Sequence, residues 1–119
     1  MQFTVADFAK DRVVYNFTNC TKEELDNKLH LFLTAEGYKY KGEENTGKIY
    51  VKGNKALRAI LGAFWKYFKV FLAVKNQDNL FSVLVQKDAS GFMGGAIGVS
   101  QVNKEFTRLT EAFKVYFKS

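Results

Sequence analysis

The segment Cys20–Tyr40, CTKEELDNKLHLFLTAEGYKY, contains the two patterns that decide the fold class. Its first part predicts an amphipathic helix near Lys22–Glu36. Thr21 is a suitable N-cap, and Glu24 three residues later completes a capping box. Gly37 is a suitable left-handed C-cap. The apolar side chains of this helix recur at helical spacing and form one stripe: Leu25, Leu29, Phe32 and Leu33.

The end of the same segment changes to the two-residue period of a strand. Tyr38 and Tyr40 alternate with lysines, and a second alternating run around Ile49 and Val51 follows the turn-forming residues GEENTG. The sequence therefore predicts a β-hairpin directly after the helix. The same alternation in Val13–Phe17 predicts a strand before it.

The middle of the chain has mixed signals. Residues 55–68 fit both a helical face and a strand, so we expect a short helical turn or irregular piece at 55–62. Enrichment in aromatic and β-branched residues favours a long strand over 64–75. A turn at 76–79 then leads to a partner strand that contains Phe81–Val85.

The C-terminal segment predicts a second helix that starts after Ser100 as its N-cap and reaches Phe117. Its apolar residues repeat with alternating spacings of four and three: Val102, Phe106, Leu109, Phe113 and Tyr116. The expected fold is α+β, in the order β-α-β-β-β-β-α. An antiparallel sheet of about five strands carries both helices on one face. This element order resembles the TBP-like and helix-grip arrangements, in which a curved sheet embraces a long C-terminal helix.

Length and composition predict one small globular domain over residues 1–119. The single cysteine, Cys20, excludes an internal disulfide and a structural zinc site. No signal-peptide pattern and no apolar run of membrane-spanning length is present. We therefore expect a cytoplasmic protein.

The positive charge is concentrated in one segment. The chain has a net charge of +6, yet Lys39–Lys75 holds nine basic residues against Glu43 and Glu44. Basic side chains beside aromatics suit nucleic acid or an anionic membrane surface, whereas lysines on a sheet also solvate its outer face and guard its edges. Both interpretations stay open. We expect the hairpin members to share the outward face, and the candidate contacts are Lys39, Lys41, Lys48, Tyr50, Lys52, Arg58 and Lys66.

A glycine-rich segment over residues 90–98 is the second candidate contact. Its spacing matches neither a dinucleotide-binding nor a P-loop pattern. It is either a packed connection, an anion-binding loop before a helix, or an apolar surface for a protein partner or self-association. The residues concerned are Phe92, Met93, Gly94, Gly95 and Ile97.

The residue pattern does not indicate a catalytic site. Cys20 and His30 are the only cysteine and histidine, and along one helix they are separated by a rise of roughly 15 Å. We therefore expect a surface imidazole and a packing thiol, with no catalytic residues, cofactor or metal. The favoured function is a non-catalytic binding or protein-interaction module, with Phe106 and Phe113 bordering an apolar pocket under the last helix. The alternative is an anionic-surface binder that acts through residues 39–69.

Overall fold

The computed structural model describes residues 1–53, 67–87 and 95–118, without the side chains of Tyr67 and residues 95–99. This part of the chain forms an antiparallel sheet of six strands with two helices. The elements are β1 Gln2–Phe8, β2 Arg12–Thr18, α1 Lys22–Ala35, β3 Lys39–Glu44, β4 Gly47–Gly53, β5 Tyr67–Gln77, β6 Leu80–Lys87 and α2 Gly95–Lys118. The expected α+β class with an antiparallel sheet is confirmed.

Helix α1 begins and ends as the sequence predicts. The Thr21 hydroxyl accepts a hydrogen bond from the Glu24 amide at 3.1 Å, and the Glu24 carboxylate accepts one from the Thr21 amide at 3.1 Å. Gly37 has a φ of 93°, which suits a residue without a Cβ. The Tyr38 amide then donates to the Leu33 carbonyl at 2.9 Å. These bonds satisfy backbone groups that a helix end leaves unpaired.

The strand order in the sheet is β1-β2-β6-β5-β4-β3. The irregular spacing of Phe3, Val5 and Phe8 gives no clear prediction for β1, and the sheet has six strands where about five were expected. The reason is a β-bulge between Val5 and Asp7, which breaks the two-residue alternation that marks a strand. β1 nevertheless pairs with β2 along its length, from Gln2 opposite Thr18 to Phe8 opposite Val13.

Both helices pack on one face of the sheet, here called the helix-side face; the opposite one is the outer face. Every second residue of the central strands points into this layer, as Val13, Tyr15 and Phe17 do in β2. In β5, Phe68, Val70 and Leu72 lie on the same side, as their shared parity predicts. The buried helix residues that meet them are Leu25, Leu29, Phe32, Leu33, Phe106, Leu109, Phe113 and Phe117.

Helix α2 differs from the prediction at its start. It begins at Gly95, before the expected N-cap Ser100, so Gly95 and Ile97 of the glycine-rich segment belong to a helix. A glycine costs about 1 kcal/mol in a helix relative to alanine. Most protein helices are stabilised more by packing of an apolar face than by helix propensity. In α2, the residues after Ser100 form such a face and pack in the core. In the ranges given above, no helix is long and apolar enough to span a membrane.

Replacing Gly47 with alanine is expected to destabilise the fold by about 1–3 kcal/mol. A Cβ at this position would lie 2.5 Å from Phe71 Cε2 and 2.7 Å from the Leu72 carbonyl oxygen. In a Phe71→Leu background, part of this cost should disappear because the ring edge is gone. Urea unfolding of the wild type, the two single variants and the double variant measures the coupling energy between positions 47 and 71. An equal cost in both backgrounds would show that the Phe71 ring does not restrict Gly47.

Tyr15→Phe is expected to leave stability unchanged or to raise it by up to about 1 kcal/mol. Among the residues described, the Tyr15 hydroxyl is a buried side-chain oxygen without a hydrogen-bond partner. Tyr38→Phe is the matched control, because the Tyr38 hydroxyl donates to Glu105 at 2.7 Å and its loss should cost about 1–2 kcal/mol. Equal destabilisation by both changes in urea unfolding would contradict this assignment.

Candidate functional site

The basic residues of the β3–β4 hairpin do not share one face. The expectation that Tyr50 points outward is wrong, since its side chain is 1% exposed on the helix-side face. Lys48 and Lys52 follow the same parity, and Lys48 lies opposite the core residue Leu72. Lys39 lies opposite Val51 and faces outward. The hairpin lysines are therefore divided between the two sides of the sheet.

Lys41 and Lys39 belong to β3, which is an edge strand. Lys41 lies at a β-bulge between Tyr40 and Gly42, so the edge is both charged and irregular. Such features hinder pairing with another chain. The position of these two lysines agrees with the edge-guarding interpretation. The candidates Arg58, Lys66, Phe92, Met93 and Gly94 lie outside the described residues.

Lys52 belongs to a polar network that joins the two helices to the hairpin. The Glu105 carboxylate accepts hydrogen bonds from Arg108 Nε and Nη2, both at 2.8 Å, and from the Tyr38 hydroxyl. Lys52 Nζ lies 3.6 Å from the same carboxylate, and Arg108 Nη1 also bonds Glu36 at 2.5 Å. This network fixes α2 against the end of α1, against Tyr38 just before β3 and against Lys52 of β4. Lys52 thus has a structural role here.

The pKa values in this network follow from its hydrogen bonds. Burial alone would raise the pKa of Glu105, but the bonds from Arg108 and Tyr38 outweigh it and hold that pKa below its ordinary value. Burial first, and then the bond to Glu105, raise the pKa of Tyr38. The folded state therefore favours a charged Glu105 and a neutral Tyr38.

A cleft lies between α1 and the β3–β4 hairpin and is here called the α1–hairpin cleft. Its volume is about 300 Å³. The floor is apolar and consists of Leu29 from α1 with Leu72 and Val74 from β5. The cleft exists because the helices leave this end of the helix-side face incompletely covered. An apolar floor within a concave surface is the usual basis of a small-ligand site.

Charged side chains of both signs surround this floor. α1 contributes Lys22 and Asp26, which form an ion pair at 2.6 Å. The hairpin contributes Glu43 and Lys48, which are opposite each other in the β3–β4 pair. Of these four, sequence analysis selected only Lys48. The spacing of Lys22 and Asp26 signals a helical ion pair, but no pattern in the chain places that pair beside the hairpin.

His30 is exposed, as expected, and it has a partner that the sequence did not reveal. His30 Nδ1 lies 2.8 Å from the Tyr50 hydroxyl, which borders the α1–hairpin cleft. The bond ties the middle of α1 to β4. Burial, followed by the neighbouring Tyr40 and Asp26, raises the pKa of Tyr50. Tyr50 is thus a neutral hydroxyl beside the cleft.

Cys20 is a free, half-buried thiol that precedes the N-cap of α1. Burial raises its pKa, and the nearby Glu24 carboxylate adds to the effect. A raised pKa lowers the thiolate fraction, which is the nucleophilic form. Over the described ranges, no group of three histidine, cysteine, aspartate or glutamate side chains is placed to hold a metal ion.

The outer face has a second depression of about 370 Å³. It is lined by the apolar side chains of Ile49 and Phe71, with Lys69 and Glu44 at its rim 4.0 Å apart. Asp11, Asn45, Gln86 and Lys87 also line it, so polar groups surround both cavities. It therefore serves below as the comparison surface.

Comparison with known proteins adds no family to this description. No protein-family model matches the chain, and no curated protein is detectably similar to it in sequence. The geometry of the fold and of its cleft is therefore the basis for a functional proposal.

Glu105→Gln is expected to cost about 2 kcal/mol at pH 7, because Arg108 and Lys52 lose their shared carboxylate. The pKa of Glu105 is lower in the folded state than in the unfolded state. The charged carboxylate therefore adds its full contribution to the free energy of unfolding at pH values above the unfolded pKa. This stabilisation is lost as the pH falls through the folded pKa. The stability gap between the wild type and Glu105→Gln should therefore narrow in acid.

Urea unfolding between pH 7 and pH 3 measures that gap. Glu111→Gln is the control, since Glu111 is on the same helix and its side chain is 66% exposed. This variant should differ little from the wild type at pH 7. A gap for Glu105→Gln that stays constant down to pH 3 would contradict the assignment of the network.

Proposed function

We propose that this protein is a non-catalytic binding module and that the α1–hairpin cleft is its ligand site. The observation that carries the proposal is the apolar floor of Leu29, Leu72 and Val74 within a rim of convergent polar groups. A concave apolar surface with a few polar groups that orient the ligand is the common form of small-molecule sites.

The packing beneath the C-terminal half of α2 supports this location. Phe106 and Phe113, which were expected to border a pocket, are both buried in the core. Phe113 stacks on Tyr15 with ring centroids 4.0 Å apart. These rings pack the C-terminal half of α2 against β2, whereas the cleft lies between α1 and the hairpin.

The state of the ionisable groups favours binding over catalysis. The raised pKa of Cys20 disfavours a nucleophile there. Lys22 and Asp26 form an ion pair with each other. Glu105, whose pKa is lowered, lies in a structural network away from the cleft. The cleft thus combines an apolar floor with charged side chains at its rim.

The anionic-surface alternative has less support. Its hairpin residues are divided between both faces, with Tyr50 in the core and Lys52 beside Glu105. Binding to a polymer or a membrane requires basic groups on a common surface. The described lysines at Lys39, Lys41 and Lys48 do not provide one.

Indole, a small neutral aromatic probe, is expected to bind in the cleft with a Kd on the order of 1 mM. NMR titration of the isotope-labelled protein locates it through amide and methyl shifts. The shifts should concentrate at Leu29, Leu72 and Val74.

The variant Val74→Phe should abolish this binding by filling the cleft, while Leu84→Phe on the opposite side of the sheet should retain it. Circular dichroism checks that both variants fold. Shifts that centre on Ile49 and Phe71, or no saturable shifts at all, would reject the cleft as the binding site.

A further inference from the structure

We infer that the α1–hairpin cleft recognises a small zwitterion with an apolar body, the chemistry of a free amino acid with an apolar side chain. This inference rests on the proposed function and specifies the ligand class of the same site. It follows from the distribution of charge and partners around the cleft.

The charges at the rim are balanced. Two ammonium groups, on Lys22 and Lys48, accompany two carboxylates, on Asp26 and Glu43. A ligand with only one sign of charge would meet repulsion as well as attraction on this rim. A ligand that has both signs can place each group beside its opposite.

Two of these four charges are available to a ligand. Lys22 and Asp26 neutralise each other at 2.6 Å. Glu43 and Lys48 are neighbours across the strand pair, yet neither forms an ion pair with any residue in the part of the chain described. The hairpin therefore presents one free ammonium and one free carboxylate on the same side of the sheet.

The polar and apolar parts of the cleft are arranged for an α-amino acid. Glu43 accepts hydrogen bonds from a ligand ammonium, and Lys48 donates to a ligand carboxylate. The Tyr50 hydroxyl, held by His30 at 2.8 Å, is a further polar group at the same margin. The apolar side chain of the ligand would then cover Leu72 and Val74.

A series of four phenylalanine derivatives tests this assignment, because they share a side chain and differ only in charge. Phenylalanine has both charges, N-acetylphenylalanine has the carboxylate, phenylalanine amide has the ammonium, and N-acetylphenylalanine amide has neither. NMR titration at pH 7 should give phenylalanine the highest affinity. Loss of either charge should weaken binding about tenfold, the size expected for one charge-assisted hydrogen bond.

Two variants assign each charge to its residue. In Lys48→Gln, phenylalanine and its amide should bind equally, because the carboxylate has lost its partner. In Glu43→Gln, phenylalanine and its N-acetyl derivative should bind equally. The control variants are Lys39→Gln and Glu44→Gln, whose side chains are on the outer face of the same hairpin. Both controls should retain the tenfold preferences.

The outcomes separate this inference from the proposed function. Equal affinity for all four derivatives, with indole still bound in the cleft, would overturn the zwitterion assignment and leave the cleft as a binding site. Preference for the singly charged N-acetylphenylalanine or phenylalanine amide over phenylalanine would also overturn it. Failure of both indole and the whole series to bind would reject the two proposals together.

Discussion

The stacked pair of Tyr15 and Phe113 is the interaction on which the rest of the structure depends. Their ring centroids are 4.0 Å apart, and Phe3, Phe32 and Phe117 pack against Phe113. Because each aromatic ring buries a large area, this cluster anchors the C-terminal half of α2 over β1 and β2. One end of the helix-side face is thereby filled, and α1 and the hairpin form the other end.

The polar network at Glu105 sets the position of α2 at its other end. A buried carboxylate is costly unless its oxygens are hydrogen-bonded, and Glu105 meets this condition through Arg108 and Tyr38. The apolar cluster supplies the larger burial, whereas the network specifies which part of α2 meets β3. The cleft lies apart from both, beside Val74 and the turn of the hairpin.

Much of the fold could be predicted because its signals are local. The capping box at Thr21 and Glu24 and the parity of Phe68, Val70 and Leu72 were read correctly from their spacing. The bulge after Val5 hid β1, because a bulge shifts the alternation by one residue.

The candidate site was harder to predict, since strand parity tells which residues share a face but not which face is covered. Lys48, Tyr50 and Lys52 do share a face, and it is the helix-side one. Lysines on such a face keep their charged ends at its margin while a tyrosine between them is buried. Asp26 and Glu43 line the same cleft from separate elements, and such an arrangement leaves no pattern in the sequence.

The central claim is that the open end of the helix-side face holds a ligand. A crystal structure of the protein grown with saturating phenylalanine tests it most directly. The account predicts ligand density between α1 and the β3–β4 hairpin, with the carboxylate beside Lys48 Nζ and the ammonium beside Glu43. Ligand density on the outer face beside Phe71, or a cleft that stays empty at saturating phenylalanine, would contradict it.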